Sequence, residues 1–258
     1  MRKILKKLAY LLGYDISVRA CPRLALQAEF DRAKEIVYGS TMLSEVRQSS
    51  LFDQVLYCEQ MKIEGAIVEC GVWKGGAIGL AGLALLHSSV LPSRELHLFD
   101  AFSDICPPDP AIDGSRAMNE FRKFTLTGAP KLKPVKGAYD SVGGHGTVSA
   151  CRKLIEERIG YPSSLVQYHI GWFQDVLPTD APKIGPIAIL RLDGDWYAST
   201  KVCLDYLYDR VVPGGFVIID DYGAYEGCKR AVDEFMLERD INVFLHRVDQ
   251  VCYYFVKP

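Results

Sequence analysis

From Ala66 to the end of the chain, short apolar runs of strand length alternate with amphipathic stretches that repeat at helical spacing. The runs 66–70, 95–99, 166–170, 187–192, 216–219, 241–246 and 251–256 predict seven strands, and 77–87, 147–159, 199–210 and 226–238 predict the helices between them. Strands alternating with helices in this way build a mostly parallel sheet covered on both faces, an α/β fold of Rossmann-like type. The last two strands are joined by residues 247–250 alone, too few for a crossover, so they must pair as an antiparallel hairpin. Residues 1–60, with helices over 24–37 and 43–60, read as an N-terminal helical cap on a single globular unit spanning 61–258. Two segments, 101–114 and 128–146, are rich in Gly, Pro and Asp and read as long loops beside the strand ends.

Two of the strand runs end in acid. Ile187-Ala188-Ile189-Leu190-Arg191-Leu192 leads into Asp193-Gly194-Asp195, and Phe216-Val217-Ile218-Ile219 leads into Asp220-Asp221. If these are neighbouring parallel strands, their carboxyl ends meet at the crevice where open α/β sheets bind ligands. Three carboxylates so close repel unless a cation or protons neutralise them, so Asp193, Asp220 and Asp221 are candidate oxygen ligands of a hard divalent ion. Asp193 is the first candidate for a general base, with Asp195 and His145 behind it. Asp195 has a plainer reading, as a turn or cap before the helix that follows. His145, in a glycine-rich loop, reads more plainly as a solvated histidine.

The first strand runs into a glycine turn, Glu69-Cys70-Gly71-Val72-Trp73-Lys74-Gly75-Gly76, the place where such folds hold a nucleotide-like cofactor. The turn has neither the Gly-Lys-Ser/Thr ending of a phosphate loop nor the spacing of a dinucleotide fingerprint. Without a diphosphate grip, the expected cofactor is a nucleoside lacking phosphates. Glu69 would repel a pyrophosphate and attract a sulfonium or amino group. Asp100, followed by Ala101 and Phe102, sits where an acid takes ribose hydroxyls. Gly171, Trp172 and Phe173 follow the third strand; either aromatic can flank a purine or simply cap the sheet.

Composition narrows the partners. The chain has 258 residues, 49% hydrophobic and 24% charged, with a formal net charge of −2. That balance gives no basic field for a polyanion and argues against nucleic acid. Eight scattered cysteines without a C-x-x-C pair read as reduced core thiols of a cytoplasmic protein. No apolar run approaches the ~20 residues of a membrane span. The start, residues 1–14, is basic and amphipathic and could meet a membrane surface peripherally; its plainer reading is a helix packing on its own domain or a sister subunit. An apolar face on residues 1–60 suggests a homo-oligomer.

The turn from Glu69 to Gly76, Gly171-Trp172-Phe173, the segment Leu190-Arg191-Leu192-Asp193-Gly194-Asp195-Trp196-Tyr197-Ala198-Ser199-Thr200, and Ile219-Asp220-Asp221-Tyr222 together resemble the macrocin O-methyltransferase family. The resemblance runs from about Thr41 to Val256 and implies a class I methyltransferase fold. It also implies S-adenosyl-L-methionine and Mg²⁺ as cofactors and methylation of a sugar hydroxyl on a small molecule or glycan acceptor. By position, Asp193, Asp220 and Asp221 look like the family's magnesium ligands. Glu69, Gly71, Asp100 and Gly75-Gly76 look like its cofactor contacts, and Thr41-Met42 like its segment closing over the methionine end. The loops 103–108 and 128–146 depart from the family pattern, so the acceptor does not carry over. Alternatives remain at this stage: a catechol or small-diol O-methyltransferase, a nucleotide-sugar or NAD-dependent enzyme, or a non-catalytic binding protein on the same fold.

Overall fold

The structure, a computed structural model, describes residues 22–89, 91–122, 124 and 133–258. The basic start at 1–14 and part of the 128–146 loop lie outside the described residues. Seven strands form one sheet: β1 (Ala66–Cys70), β2 (Leu96–Asp100), β3 (Val166–Ile170), β4 (Ile187–Leu192), β5 (Val211–Ile219), β6 (His246–Arg247) and β7 (Tyr253–Val256). Their order across the sheet is β3-β2-β1-β4-β5-β7-β6. The first five are parallel, and β7 pairs antiparallel with both β5 and β6, the reversed C-terminal hairpin expected from the short 247–250 connection.

Alternation along the strands divides the core into two layers. Ile67, Ile189 and Ile218 point to one face, packed under α1 (Pro22–Val37), α2 (Glu45–Met61) and α3 (Gly76–Ser88). Val68, Leu190 and Val217 point to the other, toward α6 (Phe173–Asp180), α7 (Tyr197–Leu207) and α8 (Glu226–Glu238). Each such apolar side chain taken out of water contributes about 1.5–3 kcal/mol. Phe30, Val37, Phe52 and Val55 of the cap helices belong to the same core as the sheet, so the cap is packed into the sheet's own layer.

Three details differ from the sequence expectation. The sixth strand is reduced to His246–Arg247, because β7 offers it only Tyr253 and Tyr254 as partners at the sheet edge. Ile241, Val243 and Leu245 still alternate into the core, which explains their strand-like pattern. The 147–159 helix is α5 (Val148–Arg152) continued by a π-helical stretch, Lys153–Arg158, with Thr147 accepting the Ala150 amide as N-cap. Between the long loops lies a short helix, α4 (Gly114–Phe121), that the polar pattern concealed. It is held by a satellite cluster of Ala117, Phe121 and Trp196.

Candidate active site

Register places the acids. Leu192 of β4 pairs with Ile219 of β5, so Asp193 and Asp220 leave the sheet side by side, with Asp221 next in line. One carboxylate oxygen from each of the three lies within 4.8 Å of the others. At an effective dielectric of about 20, two like charges at such a distance repel by about 3–4 kcal/mol. Three such pairs rival the stability of a whole domain, about 5–15 kcal/mol.

Part of the compensation is internal. Arg191, buried in the middle of β4, donates from Nη1 to Glu69 Oε1 at 2.5 Å and to Asp193 Oδ2 at 2.9 Å. Its Nη2 lies 2.9 Å from Asp220 Oδ1, close enough for an ion pair but off the angle of a hydrogen bond. Arg47 of α2 approaches Asp220 from the other side, Nη1 to Oδ2 at 2.8 Å. Asp221 receives no such partner: its Oδ2 is buried without a hydrogen bond. Burial, with the charges of Asp195, Asp193 and Asp220, holds the Asp221 carboxyl well above the usual carboxylate range. Burial likewise raises Asp193, against the pull of Arg191. An all-oxygen donor set with an orphaned carboxylate oxygen is what a hard divalent cation satisfies, and the three residues fit Mg²⁺.

The glycine turn lies beside this cluster because β1 and β4 are neighbours, with Cys70 opposite Leu192. Gly71 has φ +89, and a Cβ there would overlap the Asp193 carbonyl, so only glycine lets the two strand ends approach. Gly75 is the N-cap of α3. The Gly76 amide donates to the Ser40 carbonyl at 2.9 Å, drawing the segment before α2 across the turn. Glu69 is wholly buried; burial pushes its carboxyl up to about 8 despite Arg191, and its Oε2 accepts the Ile78 amide.

A groove of about 380 Å³ opens over these residues, walled by Thr41, Glu69, Val72, Trp73 and all four of Asp193, Asp195, Asp220 and Asp221, with Arg116, Glu120 and Tyr225 on the outer side. A larger hollow, about 540 Å³, lies at the opposite end of the sheet. It gathers no carboxylate cluster, and its Arg94 is already committed to Glu59 and backbone carbonyls.

The remaining sequence candidates lie at the carboxyl ends of β2 and β3 and in the loop before α5. Asp100 ends β2, but its carboxylate is engaged by backbone: Oδ2 accepts the amides of Val72 and Trp73 at 2.7 and 3.0 Å, and Oδ1 that of Phe102 at 2.6 Å. It therefore shapes the turn directly. Ala101 is half-buried beside it, and Gly171 donates its amide to the Asp100 carbonyl. Trp172 is the N-cap of α6, while Phe173 packs into the core and against Gly194. His145 is brought near Asp100, close enough to act on its carboxyl, which burial raises.

Asp195 does not cap α7. The N-cap is Trp196, and the first-turn bonds are made by Ser199, which accepts the Trp196 amide and donates to the Gly194 carbonyl. Asp195 instead holds a left-handed φ of +62, and burial with the nearby Asp193 and Asp220 keeps its carboxyl well above the usual range. Trp73 is also left-handed, so two of the five non-glycine residues with positive φ among those described line this groove, where strained backbone collects.

Arg47 and Tyr139 escaped the sequence reading, and Arg191 was assigned no catalytic role in it. Arg191 was visible as a charge inside a fully apolar strand. Arg47 was visible as a cation four residues before Leu51 on the core-facing side of α2. Tyr139, whose phenol is raised by burial and by the negative charges of Asp195, Asp100, Asp193 and Asp221, sits in a loop with no periodic signal.

Comparison with known proteins agrees with this geometry. The family model for macrocin O-methyltransferase matches residues 28–142 and 154–257. The 8-demethyl-8-(2,3-dimethoxy-α-L-rhamnosyl)-tetracenomycin-C 4'-O-methyltransferase of Streptomyces olivaceus is 31% identical over 247 residues, covering 91% of this chain and 82% of its own length. The mycinamicin III 3''-O-methyltransferase of Micromonospora griseorubida is 30% identical over 213 residues, 81% of this chain and 75% of its own. The solved structure of the O-methyltransferase NovP superposes with a TM-score of 0.71 at 28% identity, covering 91% of this chain and 98% of that one. Fold and site thus define an S-adenosylmethionine-dependent O-methyltransferase of class I architecture. The chain belongs to the macrocin O-methyltransferase family.

Proposed function

We propose that this enzyme transfers a methyl group from S-adenosylmethionine to a hydroxyl of a sugar carried on a small molecule or glycan, with Mg²⁺ held by Asp193, Asp220 and Asp221. One observation carries the metal half of the reading: the buried, unpartnered Oδ2 of Asp221 in a cluster whose other carboxylates have guanidinium partners. The sugar half rests on the relatives, one named for a rhamnosyl-bearing compound.

A divalent ion at the three aspartates would act as a Lewis acid, lowering the pKa of a hydroxyl bound to it. The chain's own residues do the rest. Asp193 is pinned by Arg191 and suits a ligand. Asp195, which makes no cap and faces the groove beside Asp193, suits the proton acceptor, and burial raises its carboxyl in the direction that favours taking a proton. Glu69, Thr41, Gly71, Val72, Trp73, Gly75, Gly76, Asp100 to Phe102, Gly171 and Trp172 would bind and orient the cofactor, and such orientation can supply several kcal/mol of the barrier.

No described helix is long and apolar enough to cross a membrane. The seven described cysteines are buried and unpaired, which supports a cytoplasmic enzyme with reduced thiols, and the exposed Val46, Tyr57 and Met61 of α2 support self-association. Calorimetric titration with S-adenosylmethionine and with NAD, each with and without Mg²⁺, tests the reading. Binding of S-adenosylmethionine alone is expected; binding of NAD alone would overturn it.

A further inference from the structure

Arg47 is half-buried on α2, four residues before the buried Leu51, on the face that the helix turns to the core. Its guanidinium is spent on two carboxylates: Nε donates to Asp249 Oδ2 at 2.7 Å and Nη1 to Asp220 Oδ2 at 2.8 Å. Ser44, the N-cap of α2, donates to the same Asp249 oxygen at 3.1 Å. The other Asp249 oxygen accepts the amides of Val251 and Cys252 at 2.8 and 2.9 Å. One chain of bonds therefore runs from the β6–β7 turn, through the start of the cap helix, to the carboxylate at the end of β5. The residues just before that helix, Ser40 to Leu43, wall the cofactor groove, and Ser40 is tied to the glycine turn at Gly76.

We infer that Arg47 is a positioning residue for the metal site, through which closure of the cap segment over the cofactor groove is coupled to occupation of the aspartate cluster by a divalent cation. The inference rests on the reading of Asp193, Asp220 and Asp221 as metal ligands.

Two effects of Arg47 oppose each other. Its positive charge repels a divalent ion, while its bond to Oδ2, with Arg191 at Oδ1, fixes the Asp220 carboxylate from both sides. Asp249 already pairs with the guanidinium, so its repulsion reaches the cluster weakened. Loss of an outer partner that orients a ligating carboxylate typically costs about 10–100-fold in metal affinity, so orientation wins. The same bond anchors the cap. A cation that immobilises Asp220 also immobilises Arg47 and the segment before it, and linkage requires metal and nucleoside to strengthen each other's binding by one common factor.

The test uses the full chain, Mn²⁺ as the metal and S-adenosylhomocysteine as a nucleoside that cannot react, titrated by calorimetry separately and together. In the unaltered protein, S-adenosylhomocysteine should bind several-fold tighter with Mn²⁺ present. In Arg47→Met, Mn²⁺ affinity should fall by about tenfold or more, and S-adenosylhomocysteine affinity should no longer depend on Mn²⁺. Asp249→Asn, which leaves both the ligands and the guanidinium in place, should show a smaller loss in the same direction. Circular dichroism and thermal melts report that each variant is folded. Variants that bind Mn²⁺ like the unaltered chain and keep the mutual strengthening would overturn the inference and leave the metal site standing. An unaltered chain that binds no Mn²⁺ would overturn both.

Discussion

Arg191 and Glu69 face each other across adjacent strands, Nη1 to Oε1 at 2.5 Å, with both side chains almost wholly out of water. That one guanidinium links the cofactor turn to the acid cluster, because it also meets Asp193 and Asp220. Arg191→Met would leave Glu69 and Asp193 without a guanidinium partner and Asp220 with Arg47 alone. Breaking a buried ion pair from one side costs about 3–5 kcal/mol, and urea unfolding of the variant should show a loss of at least that size. A loss no larger than the about 0.5 kcal/mol of an ordinary surface change would mean that the acids find compensation elsewhere.

Gly71→Ala probes the approach of β1 to β4. The left-handed φ alone costs about 1–3 kcal/mol for a residue with a Cβ, and the overlap with the Asp193 carbonyl adds to it. The melting temperature and the affinity for S-adenosylhomocysteine should fall together. Unchanged affinity in a folded variant would show that the turn is not what positions the cofactor.

Trp196 ties the 101–146 insertion to the sheet end. Its Nε1 donates to the Cys106 carbonyl at 2.9 Å, and its ring packs edge-on to Phe121 and Tyr225. Trp196→Ala should cost about 3–5 kcal/mol. It should also raise KM for the acceptor far more than KM for S-adenosylmethionine, since α4 stands on the outer side of the groove. Equal effects on both would place the insertion over the cofactor instead.

The legible parts of this protein are those where one local pattern decides the structure. The apolar runs at 187–192 and 216–219 could only be buried strands, and their register then delivered Asp193, Asp220 and Asp221 to one place. Arg47 and Asp249 could not be joined from the sequence, because 202 positions separate them and only tertiary packing brings the cap onto the hairpin. The same holds for α4, whose Gly114-Ser115-Arg116 start reads as loop until Trp196 supplies a surface to pack on. The 241–245 segment shows the converse: its alternation is real and buries Ile241, Val243 and Leu245, yet no partner strand extends far enough to pair with it.

His97 gives the fold a pH dependence remote from the groove. It is buried on β2, with Nδ1 3.0 Å from His169 Nε2 and Nε2 3.2 Å from Glu95. Burial first, and the neighbouring His169 second, lower its pKa, against the pull of Glu95. An unfolded histidine titrates near about 6.5. Between that value and the lower folded one, the unfolded chain binds more protons, so stability is full above about pH 6.5 and falls as pH drops. Thermal melts should show this slope, and His97→Gln should flatten it. A variant with an unaltered slope would assign the effect to another group.

The most direct test of the central claim is methyl transfer itself, followed by mass spectrometry with S-adenosylmethionine and a panel of deoxysugar-bearing small molecules, before and after EDTA treatment and Mg²⁺ return. A mass gain of one methyl on the sugar, lost with EDTA, restored by Mg²⁺ and absent in Asp221→Asn, is the predicted result. Undiminished methylation after exhaustive EDTA, or full activity of Asp221→Asn, would contradict the account.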